Sequence, residues 1–154
     1  MHKTNKTKLR NRLTKKNKKS TSTNAHKSFE KHLVIEFLQI LNMTKLYHWK
    51  TDNYATHKAT DDLYSNLNSN IDKFIETLLG KHGDRINLAA VKSISLTVVT
   101  SNNEFKREME KFKQYLVDLN DNHEMKKMSN SDLYNIRDEI LGDVNQFLYL
   151  LTFK

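Results

Sequence analysis

The amino-acid sequence predicts an all-α protein built as an antiparallel bundle of four helices. The 154-residue chain contains no proline and only three glycines, so few residues interrupt a helix. From residue 28 onward, apolar residues recur three or four positions apart, which is the spacing of a helix with one buried face. A chain of this length forms about one domain and can bury a core.

Composition also excludes several classes of protein. The chain has no cysteine, which excludes a disulfide framework and a thiolate metal site. No apolar run approaches the roughly 18–20 residues that span a bilayer, and no apolar stretch follows the basic N-terminus as in a secretory signal. We therefore expect an intracellular protein without a membrane span, either cytoplasmic or associated with the nucleoid.

Charge divides the chain into two parts. Residues 1–27 hold ten of the 26 Lys and Arg residues and no acidic residue, which leaves 16 basic against 18 acidic residues in the remainder. The first part has almost no apolar side chains, so its burial cannot offset the entropy lost on ordering. The sequence predicts a disordered basic arm at residues 1–27 and a helical domain at residues 28–154.

The arm suits a polyanionic partner, because each phosphate contact releases counterions whatever the base sequence. DNA or another nucleic acid is the favoured partner. An acidic membrane surface, a nuclear-targeting signal and a solubilising tail are the alternatives. The side chains predicted to contact nucleic acid are Lys3, Lys6, Lys8, Arg10, Arg12, Lys15, Lys16, Lys18 and Lys19.

Apolar spacing and turn residues delimit the first two helices. Ser28 is the predicted N-cap of the first helix, which should end near residues 51–53 at an Asp-Asn turn. The second helix should begin near Ala55 and stop at Gly80 and Gly83.

The remaining helices follow a longer connection. Residues 84–100 are predicted to form a crossover with a short helix, although residues 94–99 are rich in β-forming side chains. A third helix is expected at about residues 101–119 and a fourth at about 130–151, joined by a polar loop. Two short hairpins and one longer crossover give the connectivity of a ferritin-like four-helix bundle.

The second helix carries a row of side chains that commonly bind metals: His57, Asp61, Asp72 and Glu76. At about 100° per residue, all four fall on one arc of roughly 100°. Asp61 and Asp72 are nevertheless about 16 Å apart along the axis, so one ion cannot contact both ends of the row.

One arrangement that would unite the row is a symmetric dimer. A second copy of the helix would pack antiparallel across a two-fold axis near residues 66–67. His57 and Asp61 of one copy would then face Asp72 and Glu76 of the other.

Other interpretations of the row remain open. Each end could be completed within one chain by an acidic residue of the first or fourth helix, namely Glu36, Asp138, Glu139 or Asp143. The four side chains could also form an ordinary solvated face. In a scaffold protein, buried carboxylates would only specify the register of a dimer.

Three segments carry a resemblance to a known family. They are Tyr47-His48-Trp49, then His57-x-x-x-Asp61-Asp62-Leu63-Tyr64, then Asp72-x-x-x-Glu76 with Leu78-Leu79-Gly80. This region resembles the ferroxidase region of the Dps mini-ferritins. It is also similar to a ferritin-like family of unknown function carried by large DNA viruses.

The resemblance implies iron chemistry between subunits. Dps proteins are homo-oligomeric shells that oxidise Fe(II) with peroxide or oxygen at sites between two-fold-related subunits, and many bind DNA through a lysine-rich arm. His48, His57 and Asp61 of one copy would join Asp72 and Glu76 of its neighbour to bind non-haem iron. Alternatively, His48 caps the end of the first helix beside Trp49, a residue expected to pack.

Two functions follow as hypotheses. The first is an iron-binding mini-ferritin that forms a dimer through the second helix and then a larger oligomer; the resemblance implies ferroxidase activity, which the residues alone leave open. The second is a non-enzymatic DNA-packaging or virion structural protein that retains the fold. A viral protein of either kind would lie in the host cytoplasm or the virion.

Overall fold

A computed structural model describes the backbone of residues 4–127 and 130–153 and the side chains of residues 24–127 and 130–153. These residues form helices α1 (Thr4–Lys50), α2 (Tyr54–His82), α3 (Asn102–Asp118), α4 (His123–Lys127) and α5 (Ser131–Leu150). No strand occurs in this part of the chain, so the all-α class is confirmed. None of the helices described is long and apolar enough to cross a membrane.

Helix α1 begins earlier than predicted. Residues 24–27 are already helical, so the predicted N-cap at Ser28 is wrong. The division of the chain at residue 27 stays a prediction. The chain has no proline or glycine between residues 4 and 50, so no residue there stops a helix. The nine cationic side chains predicted to bind nucleic acid lie outside the described side chains.

Polar caps define the ends of α2. The Asn53 side chain accepts a hydrogen bond from the Thr56 backbone N–H at 2.9 Å and so begins the helix. Gly83 ends it with a φ of 67°, a left-handed conformation that favours glycine, and its N–H donates to the Leu79 carbonyl at 2.8 Å. The helix continues through Gly80, which was a predicted stop.

The connection between α2 and α3 is not helical. In residues 84–101, no helix forms, and the expected short helix is therefore wrong. The β-branched residues at 94 and 97–99 disfavour a helix. Val99 is buried in the core, and the Gln39 side chain donates to the Ser95 carbonyl at 3.3 Å, so the segment lies along α1.

A short helix, α4, occupies the predicted loop between α3 and α5. The Asn122 side chain accepts hydrogen bonds from the backbone N–H groups of Glu124 and Met125, as an N-cap does. The Met125 side chain is fully buried and anchors the helix to the core. Polar composition alone suggested a loop, because only one apolar residue of this turn packs inward.

Helices α1, α2, α3 and α5 pack around one core, and the pairs of helices in contact run antiparallel. Phe37 of α1 meets Phe74 of α2 edge to face at 5.5 Å between ring centroids, and it meets Phe112 of α3 at 6.2 Å. Phe105, near the start of α3, lies 5.4 Å from Phe147, near the end of α5. The ferritin-like arrangement itself stays a prediction.

Candidate functional site

The turn between α1 and α2 brings three of the five predicted ligands together. His48 lies in the last turn of α1, His57 in the first turn of α2, and Asp61 one turn further. The two imidazole rings stack with centroids 3.9 Å apart and planes inclined by 24°. Nε2 of His48 lies 3.8 Å from Oδ1 of Asp61. His48 is therefore beside the two α2 residues with which it was predicted to act.

Backbone hydrogen bonds fix the tautomers of both histidines. Nδ1 of His48 lies 3.1 Å from the His57 carbonyl oxygen, and Nδ1 of His57 lies 3.0 Å from the His48 carbonyl oxygen. A carbonyl oxygen only accepts, so Nδ1 carries the proton in each ring and Nε2 has the lone pair when the ring is neutral. Metal-binding histidines are commonly oriented by such a hydrogen bond from the nitrogen that does not bind the metal.

Thr60 supports this pair and was not identified from the sequence. Its side chain is fully buried. The hydroxyl lies 2.8 Å from the Thr56 carbonyl and 2.9 Å from the His57 carbonyl, to which it can donate, and 3.4 Å from Nδ1 of His48. A threonine one position before Asp61 is only a weak sequence signal, because threonine is common on helix faces.

Asp61 faces a cation from its own chain. Nζ of Lys45 lies 3.9 Å from Oδ1 of Asp61, whose side chain is 44% exposed. The same Nζ lies 4.7 Å from the ring centroid of Tyr64 and 5.8 Å from that of Trp49. Trp49 is 69% exposed, so the expectation that it packs is wrong. Sequence reasoning missed Lys45, because its proximity to α2 depends on the turn.

The other two predicted ligands stand apart from this group. Asp72 and Glu76 are exposed on α2, and Asp72 lies about 16 Å along the helix from Asp61. In residues 24–127 and 130–153, no three His, Asp or Glu side chains are arranged to hold a metal ion. One chain by itself therefore does not unite the row.

The acidic residues considered as partners within one chain contact other groups. Among the described side chains, the polar contacts of these residues are Glu36 with His32, Asp138 with Arg137, Glu139 with Lys73, and Asp143 with Asn66 and Asn70. None of these contacts involves Asp72 or Glu76. The second arrangement, in which one chain completes the row, therefore has no contact to support it in the described part of the chain.

Asp72 borders an apolar groove between α1 and α2. The groove has a volume of about 230 Å³. Its lining residues are Val34, Phe37, Leu38, Leu41, Asn68, Ile71, Asp72 and Ile75. An apolar groove beside exposed carboxylates is a surface on which a second helix could pack.

One family matches most of this region. DUF5856, a family of unknown function, matches residues 48–151, about two thirds of the chain. The chain belongs to this family. The DUF5856 match begins at His48 and includes all five predicted ligands, but it does not extend to the basic arm. No curated protein and no solved structure matches the chain.

Proposed function

We propose that this protein is a Dps-like iron-binding protein with a ferritin-like fold, that its metal sites form between two copies, and that its basic arm binds DNA. The observation that carries the iron proposal is the tautomer of the two histidines at the α1–α2 turn. Both rings use Nδ1 to donate to backbone carbonyls. Nε2 of each neutral ring then has a lone pair for a metal ion.

The spacing of the row supports a site shared by two copies. His57 and Glu76 have their midpoint between residues 66 and 67, and so do Asp61 and Asp72. A two-fold axis at that point, with two copies of α2 antiparallel, places each imidazole group opposite the carboxylates of the neighbour. The apolar groove beside Asp72 would be buried in such a dimer.

The ligand set suits iron as a substrate. Carboxylate oxygens and imidazole nitrogens bind Fe(II), and open coordination positions admit an oxidant. With peroxide, two Fe(II) ions each lose one electron, and the peroxide takes up two electrons and two protons to leave as two water molecules. In this proposal Asp61, Asp72 and Glu76 bind the metal together with the two imidazoles, which Thr60 helps to orient.

The decisive experiment removes the two distant carboxylates. In the Asp72→Ala, Glu76→Ala variant we expect Fe(II) binding and peroxide-dependent oxidation to fall to the background rate, because half of each shared site is lost. A matched control, Asp62→Ala with Glu110→Ala, removes two exposed carboxylates outside the row and should oxidise Fe(II) at the normal rate. Unchanged iron uptake in the Asp72→Ala, Glu76→Ala variant would contradict the iron proposal.

Assembly gives a second test of the same proposal. Mass measurement with metal analysis of the purified protein should find a closed homo-oligomer that binds iron. A metal-free dimer would instead favour the packaging or virion structural protein. A monomer at micromolar concentration would remove the basis for a shared site.

The arm requires its own experiment. We expect duplex DNA binding that weakens steeply with salt, because each lysine–phosphate contact releases counterions. A full-length variant with glutamine at the nine cationic positions from residue 3 to 19 should lose this binding while it keeps iron oxidation. If it binds duplex DNA as tightly as the natural chain at the same ionic strength, the arm is not the DNA-binding element.

A further inference from the structure

Lys45 is a cation of the chain itself that lies at the proposed metal site. Its side chain belongs to α1 and is 29% exposed. Nζ lies 3.9 Å from Oδ1 of Asp61 on α2. In the described part of the chain, no other carboxylate lies within 4 Å of this ammonium group. The single chain therefore already provides a positive charge for the carboxylate that is proposed to bind the metal.

Two aromatic rings help to hold the ammonium group beside Asp61. Nζ of Lys45 lies 4.7 Å from the ring centroid of Tyr64 on α2 and 5.8 Å from that of Trp49 on α1. A cation is attracted to the electron-rich face of an aromatic ring. One carboxylate and two rings thus surround the ammonium group, whereas an ordinary surface lysine extends into solvent.

The oxygen atom that faces Lys45 also faces the predicted ligand His48. Nε2 of His48 lies 3.8 Å from Oδ1 of Asp61, and Nζ of Lys45 lies 3.9 Å from the same oxygen. A metal ion bonded to this oxygen at about 2 Å would lie no more than about 6 Å from Nζ. The ion and the ammonium group are both positive, so they repel each other at this distance.

The proposed dimer would gather more negative charge around Lys45. Each shared site would contain Asp61 of one copy together with Asp72 and Glu76 of the other. Carboxylates brought close together across an interface repel each other strongly unless a cation compensates for them. Lys45 is in contact with one of these three carboxylates in the single chain, so it can supply that compensation before a metal ion binds.

We infer that Lys45 is a tethered counter-ion of the proposed metal site, which neutralises carboxylates in the metal-free dimer and leaves Asp61 when a divalent ion binds. The inference rests on the proposed shared site and adds a residue that regulates it. It has two consequences. Lys45 lowers the affinity of the site for the metal ion, because the ion competes with the ammonium group for Asp61. Lys45 also allows two copies to associate without a metal ion.

Calorimetric titration of the full-length protein with Co(II) tests the first consequence. Co(II) binds imidazole and carboxylate ligands, as Fe(II) does. Lys45→Met keeps the aliphatic part of the side chain but removes the charge, so it should bind Co(II) about tenfold more tightly than the natural chain. Lys45→Arg keeps the charge and should retain the natural affinity. The control Lys113→Met removes a lysine–carboxylate pair of similar exposure on α3, and it should also bind Co(II) normally.

Sedimentation velocity tests the second consequence. In EDTA, the dissociation constant of the dimer should be about tenfold higher for Lys45→Met than for the natural chain, because the carboxylates at the interface are then uncompensated. Saturating Co(II) should restore association of this variant, since the metal ion supplies the missing charge. A lysine with a purely structural role would instead weaken the dimer equally with and without Co(II).

The outcomes separate this inference from the proposed function. If the natural chain binds Co(II) and Lys45→Met binds it no more tightly, the counter-ion is overturned and the shared site stands. Equal dissociation constants for the two proteins in EDTA also overturn the counter-ion. A natural chain that binds no Co(II) contradicts the proposed function, and the inference fails with it. Lys45→Gln, which is also uncharged, provides the same tests if Lys45→Met does not fold.

Discussion

At the α1–α2 turn, the stacked rings of His48 and His57 donate to backbone carbonyls, and the nearest carboxylate is 44% exposed. At the opposite end of the same helix pair, His26 and His82 contact carboxylates that are almost fully buried. Identical residue types thus have different surroundings at the two ends. The turn leaves nitrogen lone pairs and an exposed carboxylate for a ligand, whereas at the opposite end Glu30 and Glu124 contact histidines of the same chain.

The comparison suggests that a histidine cluster should be interpreted from the group to which Nδ1 donates. A carbonyl partner is neutral at every pH, so it fixes a tautomer without favouring a charged ring. A carboxylate partner instead places a charged group of the same chain beside the ring nitrogen. The turn is therefore the better candidate for a metal site.

The largest expected effect comes from the core that joins the two ends. Phe74 is fully buried and packs edge to face on Phe37, so Phe74→Ala should lower the free energy of unfolding by about 3–5 kcal/mol. Both ends should lose hydrogen-exchange protection together. Urea unfolding followed by circular dichroism measures this loss. The exposed Val98→Ala serves as control, and a loss under about 1 kcal/mol for Phe74→Ala would mean that the core can repack.

A smaller effect should distinguish the carboxylates of the two ends. Glu30→Gln weakens a buried charged hydrogen bond and should cost roughly 1.5–3 kcal/mol. Asp61→Asn removes an exposed ion pair and should change the free energy of unfolding by less than about 0.5 kcal/mol. Both values come from urea titrations at the same pH. Equal losses in the two variants would mean that the buried carboxylate Glu30 contributes no more to stability than the exposed carboxylate Asp61.

The histidines of the turn should contribute less to stability than to binding. His48→Ala removes one neutral hydrogen bond and a ring contact, so we expect a loss of about 1 kcal/mol. Iron binding should fall far more if His48 is a ligand. Calorimetric titration with Fe(II) under anaerobic conditions measures the loss of iron affinity, and urea unfolding measures the loss of stability. Normal iron affinity in this variant would assign His48 to the support of the turn alone.

The smallest expected effect is a loss of stability that occurs only at acidic pH. Burial raises the pKa of Glu124, but the Lys127 hydrogen bond and the charge of His26 outweigh it, so the pKa lies below the ordinary value of 4.5. The ionised carboxylate therefore adds stability above about pH 4.5, and this stability is lost as pH falls through the lowered pKa. Glu124→Gln should lose less stability than the natural chain between about pH 6 and about pH 3. Asp62→Asn should lose stability with falling pH as the natural chain does. If the free energy of unfolding changes equally with pH in all three proteins, Glu124 does not have this role.

Sequence reasoning predicted most helix ends because polar side chains cap them. Asn53 and Ser101 both lie at expected helix starts, and their side chains accept backbone hydrogen bonds there. Ser28 has the same cap chemistry but lies inside α1, because nothing before it interrupts the helix. The α2–α3 connection could not be predicted, because β-rich composition without a partner strand fits several backbone paths.

The candidate site was predictable only where one helix fixes the geometry. The row on α2 follows from the helical repeat. The contacts of Lys45 with Asp61 and of His26 with Glu124 join different helices, and they depend on how those helices pack. No spacing in the chain connects residue 26 with residue 124, so only the folded structure reveals that contact.

The exposure of Trp49 has a practical consequence. It is the only tryptophan in the chain, and its indole is 69% exposed beside the α1–α2 turn. Its fluorescence in the folded monomer should already resemble that of an indole in water, so unfolding should change the emission wavelength little. A second copy that covered the turn would move the emission to shorter wavelength. The protein therefore contains a natural fluorophore that responds to assembly and hardly to folding.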